Sequence, residues 1–225
     1  MSEVAEAQGH AFTLSGATLV ARGTGALYWP AQSLLCVSDL HLGKSERLAR
    51  RGGSALPPYE TQDTLQRLEE EISALSPKVV ICLGDSFDDA AAADALDEPA
   101  LLWLQRLQAG RKWVWIEGNH DPGPVGLGGT HLAELTESPL TFRHIAEAGG
   151  SGEISGHYHP KAAIARTGGR ARPCFLIDAA RVIMPAFGTY TGGLRSQHAA
   201  LSPLMEPRAI AVLTGPVARA IPMPR

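Results

Sequence analysis

Four short stretches of this sequence concentrate the side chains that carry chemistry. Asp39 and His41 stand two positions apart in "SDLHLGK", and Gly84-Asp85 closes "VVICLGD". Asn119, His120 and Asp121 follow Gly118 in "GNHD", and His157 and His159 flank Tyr158 in "GHYHP". Each stretch alone has an ordinary explanation. Asp-x-His and Gly-Asp occur at caps and turns, Asn after Gly suits a tight left-handed turn, and His-x-His is common in solvated loops. Their joint occurrence, with three of them capping apolar runs, points instead to one centre built from carboxylate, imidazole and amide. Those donors without thiolate are the ligand set of a site for hard or borderline divalent cations.

Such a centre needs elements that bring the four stretches together. "LLCV" before Asp39, "KVVICL" before Gly84 and "KWVWI" before Gly118 read as buried strands. Between the first two, Leu65, Leu68, Ile72 and Leu75 recur at helical spacing and predict an amphipathic helix over 60–75. Asp97 is the expected N-cap of a second helix through "EPALLWLQRLQA", closed by Gly110. The first half is thus β-α-β-α-β, and ligands bind at the carboxyl ends of parallel strands in such sheets. His157 and His159, on extended chain, are expected to point the same way.

Residues 11–38 hold short strands punctuated by glycine and proline, and short strands return from about residue 139 ("PLTFRH", "GEISG", "KAAIAR", "RPCFLID", "RVIMP", "AIAVL"). Two sheets packed face to face with helices outside follow from this pattern. "THLAEL" reads as a helix opened by His131. Gly123 to Thr130 and the C-terminal tail, about 216–225, read as loop material, and the N-terminus, about 1–9, as poorly ordered.

Composition sets the outer limits. With 225 residues, 44% of them hydrophobic, the chain is expected to form one domain spanning 1–225. The opening residues MSEVAEAQGH lack the basic and apolar regions of a signal peptide, and no apolar run reaches the ~18 residues of a membrane span, so a cytoplasmic protein with no membrane partner is expected. Cys36 and Cys82 lie inside apolar runs, as small buried hydrophobes do. A net charge of -3 excludes a global basic field, so any polyanion must be held locally.

The order D-x-H, G-D, G-N-H, G-H-x-H over residues 38–160 resembles the calcineurin-like metallophosphoesterase superfamily. More narrowly, "SDLHLGKSERLARRGG", "GEISGHYHP" and "PAFGTYTGGL" are similar to the ligase-associated DNA damage response endonucleases. The resemblance implies a four-layer α/β/β/α sandwich with two mixed sheets. It also implies two divalent cations, with Asp39, His41 and His159 on one, Asn119 and His157 on the other, and Asp85 shared. A further histidine completes the second set, and His144, ending "LTFR", is chosen over His131. His10 and His198 have no motif around them and read as surface histidines.

Two cations ~3.5–4 Å apart need a shared carboxylate to offset their repulsion, and a water between them ionises near neutral pH. Mn²⁺ suits mixed N/O ligation best, with Fe, Co, Ni or Zn as competitors. The resemblance gives His120 the leaving group, and Asp88, three residues after Asp85, or Asp121, beside it in sequence, is the candidate to orient it. The expected reaction is phosphodiester hydrolysis by a nuclease linked to DNA repair, beside proteins such as a ligase or helicase.

Lys44, Arg47, Arg50 and Arg51 follow the first pair of candidate ligands. On a helix Lys44, Arg47 and Arg51 share a face, suited to the backbone of single-stranded DNA or RNA or equally to solvent. A phosphohydrolase of a small nucleotide, a cyclic nucleotide or a lipid-linked diphosphate is the alternative, and a non-catalytic scaffold a further one.

Overall fold

The computed structural model describes residues 9–53, 56–123, 126–164 and 170–225. Its first sheet opens with β1 (Gly9–Leu14), β2 (Ala17–Arg22) and β3 (Leu27–Trp29), which run antiparallel into β4 (Leu34–Val37). From β4 the sheet becomes parallel, through β5 (Val79–Leu83), β6 (Lys112–Ile116) and β7 (Thr130–Leu132). Helices α1 (Lys44–Arg50) and α2 (Glu60–Leu75) connect β4 to β5, and α3 (Ala90–Asp94) and α4 (Glu98–Gln108) connect β5 to β6. The expected cap is in place: the Asp97 carboxylate accepts the Ala100 N–H at 2.9 Å.

The second sheet contains β8 (Glu134–Glu137), β9 (Leu140–Arg143), β10 (Glu153–Ser155), β11 (Lys161–Ala162), β12 (Arg172–Ile177), β13 (Arg181–Ile183), β14 (Ile210–Leu213) and β15 (Arg219–Pro222). Its order is β15-β14-β12-β13-β10-β9-β8, with β11 beside β12, and it mixes parallel with antiparallel pairs.

The two mixed sheets pack face to face. Leu19, Trp29, Cys36, Ile81 and Val114 of the first meet Phe142, Ile154, Phe175, Val182 and Val212 of the second in one buried cluster. Each such aliphatic or aromatic side chain contributes ~1.5–3 kcal/mol on burial, so the seam fixes the strand ends relative to one another. On the outer face of the first sheet, Leu65, Leu68 and Ile72 of α2 and Leu104 and Leu107 of α4 cover Leu35, Val80, Cys82 and Trp113. Over the second sheet the fourth layer is thin: Leu201, Met205 and the 3-10 turn Ser202–Leu204 cover Cys174, Leu176 and Ala211.

Two expectations are corrected. "THLAEL" is not helical: β7 and β8 occupy it, because Thr130–Leu132 pairs in parallel with Val114–Ile116. The C-terminal tail is not loose either, since Arg219–Pro222 pairs with Ile210–Leu213 as an edge strand. Of the N-terminal segment expected to be poorly ordered, residues 1–8 lie outside the described residues and Gly9 already belongs to β1. Of "KAAIAR", residues 165 and 166 lie outside them, and Lys161–Ala162 form the strand. In the expected loop 123–130, residues 124 and 125 lie outside them and Thr130 opens β7. All three cysteines are buried and free.

Candidate metal centre

Parallel pairing of β4, β5 and β6 sets Asp39, Asp85 and Asn119 just beyond adjacent strand ends. The backbone then turns sharply. Asp39, His41, Asp85, His157 and His159 all have left-handed φ, between 45° and 69°, five of nine such non-glycine residues among those described. Left-handed backbone is uncommon outside glycine, although Asp and His are among the residues that adopt it most readily, and it clusters at functional sites. His157 and His159 are therefore not on extended chain as expected. Their rings enter two different groups.

The first group is Asp39, His41 and His159. Asp39 is fully buried. Its Oδ2 accepts the Ser38 hydroxyl at 2.5 Å and the His157 N–H at 3.1 Å. Its Oδ1 is buried without a hydrogen bond and lies 3.1 Å from His159 Nε2. His41 Nε2 lies 3.4 Å from His159 Nε2. Burial alone would raise the Asp39 carboxyl, but His159, His144 and the Ser38 hydroxyl outweigh it and hold it below the usual carboxylate range.

The second group is Asp85, His144 and His157, with Asn119 beside them. His144 Nδ1 faces the Leu83 carbonyl at 3.1 Å, which can only accept, so that nitrogen carries a proton. In the neutral ring Nε2 is then a bare lone pair. It lies 3.1 Å from Asn119 Oδ1, 3.2 Å from His157 Nδ1 and 3.4 Å from Asp85 Oδ2. Burial opposes ionisation of Asp85, yet His144 and the His120 backbone N–H hold its carboxyl well below the usual range. Burial disfavours charge on His144, but Asp85 and Asp39 outweigh it and raise its pKa. His131 stands elsewhere, on β7, stacked on Trp115 with ring centroids 6.3 Å apart.

Glycines let these groups close. A Cβ on Gly118 would sit 2.1 Å from the Asp85 backbone nitrogen and 2.3 Å from its Oδ1. On Gly156 it would sit 1.9 Å from Ser38 Oγ and 2.6 Å from Asp39 Oδ2.

A third group, His41, Asp88 and His120, adjoins the first, with the His120 ring edge-on to His41 at 5.2 Å. Of the two candidates for orienting His120, Asp88 is the one in contact. The Asp88 backbone carbonyl, not its carboxylate, meets His120 Nδ1 at 2.8 Å. The Asp88 carboxylate is fully buried and turns instead to His41 Nδ1, 2.9 Å away and off the line of a hydrogen bond, and to Arg47 and Lys44. Burial opposes its ionisation, but His41, Lys44 and Arg47 bring its pKa down to about 2. Asp121 does not orient His120 through a hydrogen bond. It accepts the N–H groups of Gly118, Ser86 and Phe87 and ties two strand ends together, and burial, with Asp85 adding to it, raises it to about 6.

The basic segment is ion-paired. Arg47 and Lys44 meet Asp88, and Arg50 and Arg51 meet Asp89. Arg51, 62% exposed at its side chain, is the most open of them. No spacing in the sequence marks Ser38 as the partner that holds Asp39, and "FGTYTGGL" carries a family likeness without indicating what the 187–194 loop does.

The donor set fits divalent cations. A fully buried carboxylate oxygen without an aligned hydrogen bond, and imidazole nitrogens converging on carboxylate and amide oxygens, leave negative potential that a cation at those points relieves. Nitrogen and oxygen donors without sulfur suit the same ions.

Two packed mixed sheets with this donor set at one strand edge define a metallophosphoesterase. The chain belongs to the calcineurin-like phosphoesterase family, whose profile matches residues 33–171 and so contains all three groups. Among solved structures, the crystal structure of Pseudomonas putida nuclease MPE is similar at 26% identity and a TM-score of 0.75, over 95% of this chain and 100% of that one. A conserved uncharacterized protein of Streptococcus pneumoniae, described as a predicted phosphoesterase, aligns at 10% identity over 84% of this chain and 95% of that one. Its TM-score of 0.32 carries no argument. No curated protein matches the chain.

Proposed function

We propose that this protein is a two-metal phosphodiesterase that cuts single-stranded DNA or RNA. The observation that carries the reading is the convergence at one strand edge of Asp39, His41 and His159 with Asp85, His144 and His157, joined by a third group in which His120 and Asp88 share His41. Similarity over 95% of the chain to a nuclease supports a nucleic-acid substrate. In this reading Asp39, His41 and His159 hold one cation, Asn119, His144 and His157 hold the other, and Asp85 is shared. Mn²⁺ is the expected ion, with Fe, Co, Ni and Zn competing.

Bound divalent cations supply Lewis acidity to the phosphoryl oxygens and lower the pKa of water. The chain's own residues do the rest. Asp85, ionised despite burial, offsets repulsion between two positive charges. Asp39 is held by Ser38 so that its Oδ1 stays free for a ligand. His120 keeps Nδ1 on the Asp88 carbonyl, and as imidazolium releases its Nε2 proton to the leaving alkoxide. The resemblance to ligase-associated endonucleases supports a role in DNA repair beside a ligase or helicase.

The test is Mn²⁺-dependent turnover on single-stranded DNA, a bis-nitrophenyl phosphodiester and a mononucleotide in parallel. Cleavage of the two diesters and not of the mononucleotide is expected. Faster turnover of the mononucleotide than of DNA would overturn the reading.

One observation favours a second reading, hydrolysis of a small phosphorylated molecule. Lys44, Arg47, Arg50 and Arg51 are each ion-paired with Asp88 or Asp89, which offsets part of the cationic track that a long polyanion would use. Against a non-catalytic scaffold stands the intact donor set with His120.

A further inference from the structure

The loop 187–194 is tied at both ends to the segments that carry the candidate ligands. Phe187 N–H donates to the Ser38 carbonyl at 2.8 Å and Gly188 N–H to the Asp39 carbonyl at 3.1 Å. At the other end Leu194 N–H donates to the Tyr158 carbonyl at 3.2 Å, between His157 and His159. The approach is as close as backbone allows: a Cβ on Gly188 would lie 2.1 Å from the Leu40 carbonyl oxygen, and one on Gly193 would lie 2.1 Å from that of His159. The middle is held too. Arg67 donates to the Phe187 carbonyl at 2.7 Å, Thr189 N–H donates to Thr64 Oγ1 at 3.1 Å, and Lys161 Nζ donates to the Thr191 carbonyl at 3.3 Å.

At the centre of this loop stands Tyr190. It is 42% exposed, has φ 60°, and makes no hydrogen bond or ring contact among the described residues. A bulky residue at positive φ is an outlier that persists only where its surroundings hold it. Glycine would fill that backbone position without strain, and Gly192 and Gly193 follow directly. The chain instead keeps a large aromatic side chain, exposed, on a loop whose two ends are hydrogen-bonded to the segments that carry Asp39, His157 and His159. Folding does not require it, because the side chain packs into no core cluster.

We propose that Tyr190 is a stacking platform for a nucleobase next to the scissile phosphodiester. The inference rests on the nuclease reading above and adds a specificity-determining residue to it. Every base has a π-face, so stacking grips single strands without reading sequence. It also supplies a hold on the substrate that does not depend on charge, which suits a site whose nearby cations are ion-paired. A duplex keeps its bases stacked on one another and would have to give one up, so the platform favours single-stranded, frayed or damaged substrate.

The test compares two single strands of equal length and charge, one with bases and one with an abasic stretch, both carrying non-cleavable phosphorothioate linkages. Binding to the metal-loaded protein is read by anisotropy. Wild type is expected to prefer the base-bearing strand by roughly 5- to 100-fold, the range that loss of one base–aromatic stack spans. Tyr190→Phe and Tyr190→Trp should keep that ratio, and Tyr190→Ala should bring it close to unity. Because the ratio is internal to each variant, damage to the metal centre lowers both arms alike and leaves it unchanged. Tyr190→Gly should also lose the ratio while melting no lower than wild type, since it removes backbone strain. A ratio that survives in Tyr190→Ala overturns the platform and leaves the nuclease reading standing; it is also what a protein-docking role for Tyr190 would give. A wild-type protein that hydrolyses the small diester but neither binds nor cuts DNA overturns the nuclease reading and the platform with it.

Discussion

Asp88 Oδ1 lies 2.9 Å from His41 Nδ1, while the other oxygen of the same buried carboxylate is ion-paired with Arg47. One side chain thus links a candidate metal ligand to the basic helix. Groups that orient ligands in this way are worth ~10- to 100-fold in metal affinity or activity. Asp88→Asn is expected to weaken Mn²⁺ binding and turnover within that range. Arg47→Ala should lower turnover on the small diester as well as on DNA, with Arg47→Lys recovering part of it. An Arg47→Ala protein with wild-type kcat on the small diester and a raised KM for DNA alone would show that Arg47 serves substrate and not His41.

Sharing of Asp85 has a distinct signature. Asp85→Asn removes the charge expected to hold two cations together and should weaken both sites, whereas Asn119→Ala should spare the one formed by Asp39, His41 and His159. Calorimetric Mn²⁺ titration distinguishes the two, and two tight sites in Asp85→Asn would exclude the shared role.

His120 is expected to act on the leaving group and not on metal. His120→Ala should keep its metal content and lose ~10²- to 10⁴-fold in turnover on DNA. With nitrophenolate, which needs no proton, the loss should shrink. Metal content that falls in step with activity would make His120 a ligand.

Asp39 Oδ1 is buried and makes no aligned hydrogen bond, with His159 Nε2 3.1 Å away, so a cation bound there is expected to stabilise the fold. Added Mn²⁺ should raise the melting temperature, and chelation should lower it again. In Asp39→Asn the rise should be much smaller. Equal melting with and without Mn²⁺ in wild type would argue against a metal centre.

Gly118→Ala places a methyl group 2.1 Å from the Asp85 backbone nitrogen. Overpacking of this kind costs ~1–3 kcal/mol, and here it also displaces a candidate ligand. Lower melting temperature and lost Mn²⁺ affinity are expected together. Wild-type affinity in a folded Gly118→Ala protein would mean that the β6 end gives way without moving Asp85.

What could be read from the sequence was local. The apolar runs of β4, β5 and β6 and the periodicity of α2 announce themselves within a few residues, and so do the polar strand ends. His144 was recoverable because it directly follows a short strand. Contacts between distant residues were not: Arg47 and Asp88 are 41 positions apart, and no spacing rule says that a basic helix folds onto the carboxylate beside His41. β7 and β15 were missed for a related reason. Each owes its form to a partner strand, and β15 carries Pro222, which is tolerated because the strand lies at the sheet edge.

The five left-handed residues Asp39, His41, Asp85, His157 and His159 give the chain an evolutionary liability. Each departs from its preferred backbone at a cost of order 1–3 kcal/mol, which glycine would not incur. In a lineage that no longer needed catalysis, mutation toward glycine at these positions would be favoured for stability alone, and the donor set would be among the first features to erode. Laboratory selection for thermostability without an activity screen should retrace that path.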